Sequence, residues 1–247
     1  MTRLALLAIA TVLVVSPGRL NAGQQPQMRP ALLTNGKNSL INLIDTQRLF
    51  KEGQGDAVVR FDFGVSRHGE GYEAETYMRS DKSDKLAKEI IDKCNRSKFM
   101  PAVYKGEEVA SMVMGTAIFG VVGGKPHLRI YLHQEPSHLK NGDDFISPQP
   151  VVMWNDKFNG FIYPEEGRFS GMVSVKLDVD ANGNLLNTQV SHESMPGRGM
   201  GKAIMERIHT LHFVPAFSHG QAVASSTTWN LTFQGGGRGQ SWTGDSN

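Results

Sequence analysis

Phe99-Met100-Pro101-Ala102, followed by Gly106, Val109-Ala110-Ser111 and Phe119, returns 114 residues later as Phe213-Val214-Pro215-Ala216, Gly220, Val223-Ala224-Ser225 and Phe233. Laying residues 57–119 on 171–233 without a gap matches 14 of 63 positions. Ordinary residue frequencies would give roughly a third as many matches. A period this long exceeds a solenoid repeat and fits two copies of one small domain.

Working outward from the repeated stretch, each copy reads as strand–strand–helix–strand. In the first, apolar residues at 59, 61, 63 and 65 alternate with mostly polar ones, the pattern of a strand with one buried face. His68-Gly69-Glu70-Gly71 is a turn and Tyr72 to Met78 a second strand. Asp81 or Ser83 caps a helix running to about Arg96, with Leu86, Ala87, Ile90, Ile91 and Cys94 on one face. A third strand covers Val109 to Val121.

In the second copy, Met172 to Val179 is the first strand, Asn182-Gly183 a hairpin signal, and Leu185 to Val190 the second strand. A helix runs from about Gly199 to Leu211 with Met200, Ile204, Met205 and Ile208 inward, and Val223 to Phe233 closes the copy. The expected fold class is α+β, two tandem β-β-α-β units, each a three-stranded antiparallel sheet with one helix on a face. The first copy continues through Gly123-Gly124 into one further strand, Pro126 to His133.

The expected organisation assigns 1–22 to a signal peptide, 23–50 to a lead-in, 51–135 to the first domain, 136–154 to a linker, 155–234 to the second domain and 235–247 to a disordered tail. Arg3, the apolar run Leu4 to Val15, the Pro17-Gly18 break and Ala22 have the layout of a secretory signal. About 12 apolar residues are too few for a bilayer span of about 20. The alternative is an uncleaved anchor.

The 247 residues carry a net charge of only +2, which argues against a nucleic-acid partner. A single cysteine, Cys94, allows no internal disulfide and reads as a buried small hydrophobe. No cysteine flanks the cleavage point for lipidation, and the absence of disulfides favours a bacterial envelope protein over a secreted eukaryotic one.

The second copy resembles the C-terminal domain of TonB, the periplasmic part of a bacterial energy transducer. The resemblance rests on Tyr163-Pro164, Gly171, Asp180 to Gly183, Phe213-Val214-Pro215-Ala216, Gly220 and Phe233, in that order, over about residues 155–234. The first copy is divergent, with Leu49-Phe50 in place of Tyr-Pro. Ser191-His192-Glu193-Ser194 departs from the family's Ser-Ser-Gly.

The resemblance implies a protein that binds by strand addition, pairing a sheet edge with an extended segment such as part of an outer-membrane receptor. The expected edge is the last strand of the second copy, with Ser225, Thr227, Trp229, Leu231 and Phe233 as partner-binding residues and Trp229 as anchor. Long Pro-rich spacing and a coupling residue in the apolar run are missing, so a soluble periplasmic binder is expected rather than a transducer. The alternatives are a scaffold or homodimer with self-paired edges, and a membrane-anchored transducer if the N-terminus is retained.

No catalytic motif, cofactor or metal is expected. Asp178-Val179-Asp180-Ala181-Asn182-Gly183 opens like a calcium loop but has Gln189 at its twelfth position, so a hairpin is the reading. His192, His209, His212 and His219 lack a zinc spacing, and Met112, Met114 and Met153 read as core filler. A hydrolase at the repeat interface has no motif behind it.

Overall fold

Alternation is what builds the first sheet. Val59, Phe61, Phe63 and Val65 are fully buried on one face of a nine-residue strand. The computed structural model describes residues 26–134, 139, 144–152, 170–233 and 241–244. The proposed signal peptide, Met153 and Tyr163-Pro164 lie outside the described residues.

The chain runs β1 (Met28–Arg29), β2 (Leu32–Leu33), α1 (Leu40–Leu43), α2 (Thr46–Lys51), β3 (Ala57–Val65), β4 (Gly71–Arg79), α3 (Asp84–Cys94), β5 (Phe99–Met100), β6 (Ala102–Tyr104), β7 (Glu107–Val122) and β8 (Lys125–Leu132). There follow β9 (Phe145–Ile146), β10 (Gln149–Val152), β11 (Gly171–Val179), β12 (Leu185–Glu193), α4 (Met200–Ile208), β13 (His212–Val214), β14 (Ala216–Ser218), β15 (Gln221–Val223), β16 (Ser225–Phe233) and β17 (Ser241–Gly244). The fold is α+β, rich in antiparallel sheet and poor in helix.

The two halves share their register. β3 pairs β7 from Ala57↔Phe119 to Val65↔Ser111, and β11 pairs β16 from Gly171↔Phe233 to Val179↔Ser225. Every partner in the second ladder lies 114 positions beyond its counterpart in the first. The helices follow: Leu86, Ala87, Ile90 and Cys94 are buried on α3, and Met200, Gly201, Ile204 and Ile208 on α4. Ser83 stands at the N-cap of α3, but its hydroxyl donates to the Ser80 carbonyl at 2.6 Å instead of capping the helix.

Turn chemistry repeats as well. Ser66 Oγ accepts from the His68 and Glu70 backbone N–H groups at 3.2 and 3.1 Å. Asp180 Oδ1 accepts from Asn182 and Asn184 N–H, both at 2.8 Å. Gly69 and Gly183 close these turns with φ of 75° and 81°. Asn182 keeps a negative φ, so the turn is longer than the two-residue hairpin that Asn-Gly signals. The stretch resembling a calcium loop is therefore a hairpin held by its own Asp180.

Three features differ from the sequence reading. The sheets exceed three strands: the first joins eight, with the expected further strand β8 on the outer edge of β7, and the second has four, with β17 on the outer edge of β16. Residues 241–244 thus form a strand where a disordered tail is expected. The linker assigned to 136–154 ends in structure, because β9 pairs β14 and β10 bridges β7 and β13. The lead-in does the same for the first half, with β1 on β6 and β2 on β5.

Two apolar clusters result. One joins Leu40, Leu49, Phe61, Phe63, Ile90 and Phe119; the other joins Val175, Leu177, Met200, Ile204, Phe213 and Trp229. Cys94 is fully buried in the first, and burial pushes its thiol pKa up. Among the described residues no helix is long and apolar enough to cross a membrane.

Candidate functional site

β16 follows β15, which belongs to a separate sheet with β14 and β9, and lies along β11 over its whole length. Alternation then decides where its side chains go. Thr227, Trp229 and Leu231 are buried, Ser225 is half-buried and Ser226 is exposed. The Trp229 ring packs on Phe213 with centroids 5.2 Å apart, so the residue expected to anchor a guest instead fills the core. Phe233 ends the ladder opposite Gly171.

The outer rim of β16 has two parts. Residues 229–232 are paired with β17, from Trp229↔Gly244 to Thr232↔Ser241. Along Ser225–Thr228 no strand among the described residues pairs the outer rim. Of the matching stretch 111–114 of the first sheet, Ser111 pairs β10 through Val151, and the Met114 carbonyl accepts from the His133 backbone N–H at 2.8 Å. Ser226 Oγ donates to Asp178 Oδ1 at 2.5 Å, which with Asn187 holds that carboxyl below the usual carboxylate range.

β12 forms the other edge of this sheet, pairing only β11. Its exposed Leu186 points to solvent. β4 is the corresponding edge of the first sheet and carries Glu73, Glu75 and Arg79, charges that discourage an incoming strand. β12 holds no charge before Glu193.

The face of the first sheet turned away from α3 meets β16. A small cleft, partly open to solvent, is lined by Arg60, Tyr77, Thr116, His133, Thr227 and Thr228. A neighbouring small cleft, with room for about one water, is lined by Asp62, Met112, Met114, His133 and Trp229. Asp62 is only 3% exposed; burial first, and Glu75 second, push its carboxyl up to about 8. His133 is also buried, and desolvation takes its imidazole down to about 4, opposed by its bond to the Met112 carbonyl.

Sequence reasoning missed Asp62 and His133. They come from β3 and the end of β8 with no motif spacing, and only the sheet register brings them together. The four histidines of the second half behave as expected of surface residues where the structure shows their partners. The His212 ring lies 5.7 Å from that of Tyr104, and His219 Nδ1 lies 3.0 Å from Ser218 Oγ. Among the described residues no group of three or more His, Cys, Asp and Glu side chains gathers.

No family model, curated protein or solved structure matches the chain.

Proposed function

We propose that the chain is a non-enzymatic periplasmic envelope protein of two tandem TonB-like units, which binds an extended segment of a protein partner by strand addition to the second sheet. The duplication is supported by the two ladders sharing one register and by both turn glycines closing against the backbone of the matching phenylalanines. The binding mode rests on one observation above all: the outer edge of the last strand is finished by short added strands in both halves. β10 adds to β7 at Ala110–Ser111 and β17 to β16 at 229–232. Among the described residues the rim at Ser225–Thr228 has no such added strand. Backbone N–H and C=O groups there supply the affinity, and side chains contribute less.

A photo-crosslinking residue placed at exposed Ser226 in the full chain tests the reading. Envelope extract should yield one adduct whose mass-spectrometric map is a single extended partner segment. The same probe at Leu186, on the far edge, should yield none. An adduct from Leu186 alone, or none from either position, refutes the site.

A second reading has its own support. β8, β10 and β17 cover most outer rim from within, which suits a self-complemented scaffold that needs no guest. Deleting residues 235–247 separates the two. A binder keeps its fold and gives more Ser226 adduct, whereas a scaffold loses stability and gives none.

A further inference from the structure

The second cleft holds chemistry that strand addition does not use. In the β3–β7 register Asp62 stands opposite Met114, and Gly64 stands opposite Met112. The carboxyl and the two thioethers therefore start from neighbouring positions on one sheet face, with Cβ atoms of a directly opposed pair about 5 Å apart. β8 ends at Leu132, and the chain turns at His133 with a φ of 51°, a left-handed conformation for a non-glycine residue. Such strained backbone concentrates at functional positions.

That turn fixes the ring. The His133 backbone N–H donates to the Met114 carbonyl at 2.8 Å, and Nε2 lies 3.2 Å from the Met112 carbonyl. A carbonyl can only accept, so Nε2 carries the proton and Nδ1 presents a lone pair. Nδ1 is buried without a hydrogen-bond partner, and so is Asp62 Oδ2. The two residues are 4% and 3% exposed. Buried polar atoms without partners are rare and call for an occupant. Their shared cleft, lined also by both methionines and Trp229, admits roughly one water-sized body, which is too little for an organic ligand.

We propose that this cleft binds one copper(I) ion, ligated by His133 Nδ1 and the thioethers of Met112 and Met114, with Asp62 as counter-charge and the Trp229 indole as cap. Thioethers select soft ions, and imidazole suits copper. One carboxylate neutralises a monovalent ion, whereas a divalent ion would leave net charge in a buried site. The Nε2–H bond to a backbone carbonyl is the usual support of a ligating histidine. Trp229 lines the same cleft, and an indole ring attracts a cation placed over it. At the positions 114 residues on, Asp62, Met112 and Met114 become Lys176, Ser226 and Thr228, so the second sheet has no such donor set. The competing occupant is a water that donates to Asp62 and His133 and leaves the thioethers unused.

The full chain is titrated anaerobically with copper(I) against a chromogenic chelator, and bound metal is counted by mass spectrometry. One equivalent per chain is expected. The near-isosteric pair Met112→Leu/Met114→Leu should weaken binding by roughly 100-fold with an unchanged melting midpoint and circular dichroism spectrum. His133→Gln should abolish it, while exposed His127→Gln and His219→Gln leave it intact. The proposal falls if the wild-type chain takes up no copper(I), if the leucine pair binds as tightly as wild type, or if zinc(II) binds these residues more tightly than copper(I).

Discussion

Gly183 and Gly69 offer a paired measurement of how far the two halves obey the same physics. Both have positive φ, 81° and 75°. A Cβ added to Gly183 would collide with the Phe213 carbonyl oxygen, and one added to Gly69 with the Phe99 carbonyl oxygen. Holding alanine in the left-handed region costs about 1–2 kcal/mol. The collision adds a comparable amount, because the obstacle is backbone and no rotamer change relieves it. Each Gly→Ala variant should therefore lose about 3 kcal/mol. At about 2–4 °C per kcal/mol for a chain of this size, the melting midpoint should fall by roughly 6–12 °C. Gly197 is the control: its φ is 79°, but nothing lies within 4 Å of its added Cβ. Gly197→Ala should show only the conformational part, roughly 1–2 kcal/mol. Urea unfolding followed by circular dichroism and tryptophan fluorescence gives all three values. If Gly183→Ala and Gly197→Ala cost the same, the close approach to Phe213 carries no energy and the reasoning fails. If Gly69→Ala is silent while Gly183→Ala is not, the turns are not equivalent.

The helix cores allow a second comparison. Ile90 and Ile204, 114 positions apart and both fully buried, should each cost about 2–5 kcal/mol as alanine, read from urea midpoints; a loss below 1 kcal/mol at either would mean that its helix face is not core. Cys94, the only cysteine and fully buried, should resist a thiol reagent in the native chain and react at the rate of global unfolding. Rapid labelling under conditions where the chain stays folded would contradict its placement on the buried face of α3.

The repeated Phe-x-Pro-Ala segment, the alternating strands and the inward faces of both helices were legible because each is a local pattern with its own period. The strand ends were legible for the same reason; Gly123 and Gly124, with φ of 58° and 76°, turn β7 into β8 where the Gly pair stands. The short strands ahead of each half were not. β1 and β2 pair with β6 and β5 as β9 and β10 pair with β14 and β13, yet Met28-Arg29 and Phe145-Ile146 share no residue. Their pairing is specified by the backbone they meet. β17 was hidden behind Gly235-Gly236-Gly237, whose composition reads as a flexible tail whatever follows it. The second-cleft residues were invisible for a third reason. Met112 and Met114 read as core filler from spacing alone, and nothing local tells which sheet face they occupy or that His133 turns back over it.

The common register gives those differences their meaning. Where two stretches hold the same backbone, a change of side chain is not forced by the fold, so the chemistry at that position is free to differ. Phe61 and Val175, or Ile90 and Ile204, answer to the same demand for apolar volume and remain apolar. Asp62 and Lys176 answer to different surroundings: one is buried against β16, the other is exposed. An apolar side chain at 62 would fill the cleft and avoid the desolvation that pushes this carboxyl up to about 8. The same holds for His133, whose imidazole needs both a left-handed turn and burial. Asp62 and His133 both line the small cleft, and each carries a buried atom without a hydrogen-bond partner, the observations on which the copper(I) proposal stands. The two proposals meet at β16, the strand that lines the cleft with Trp229 and whose outer rim is offered to a guest.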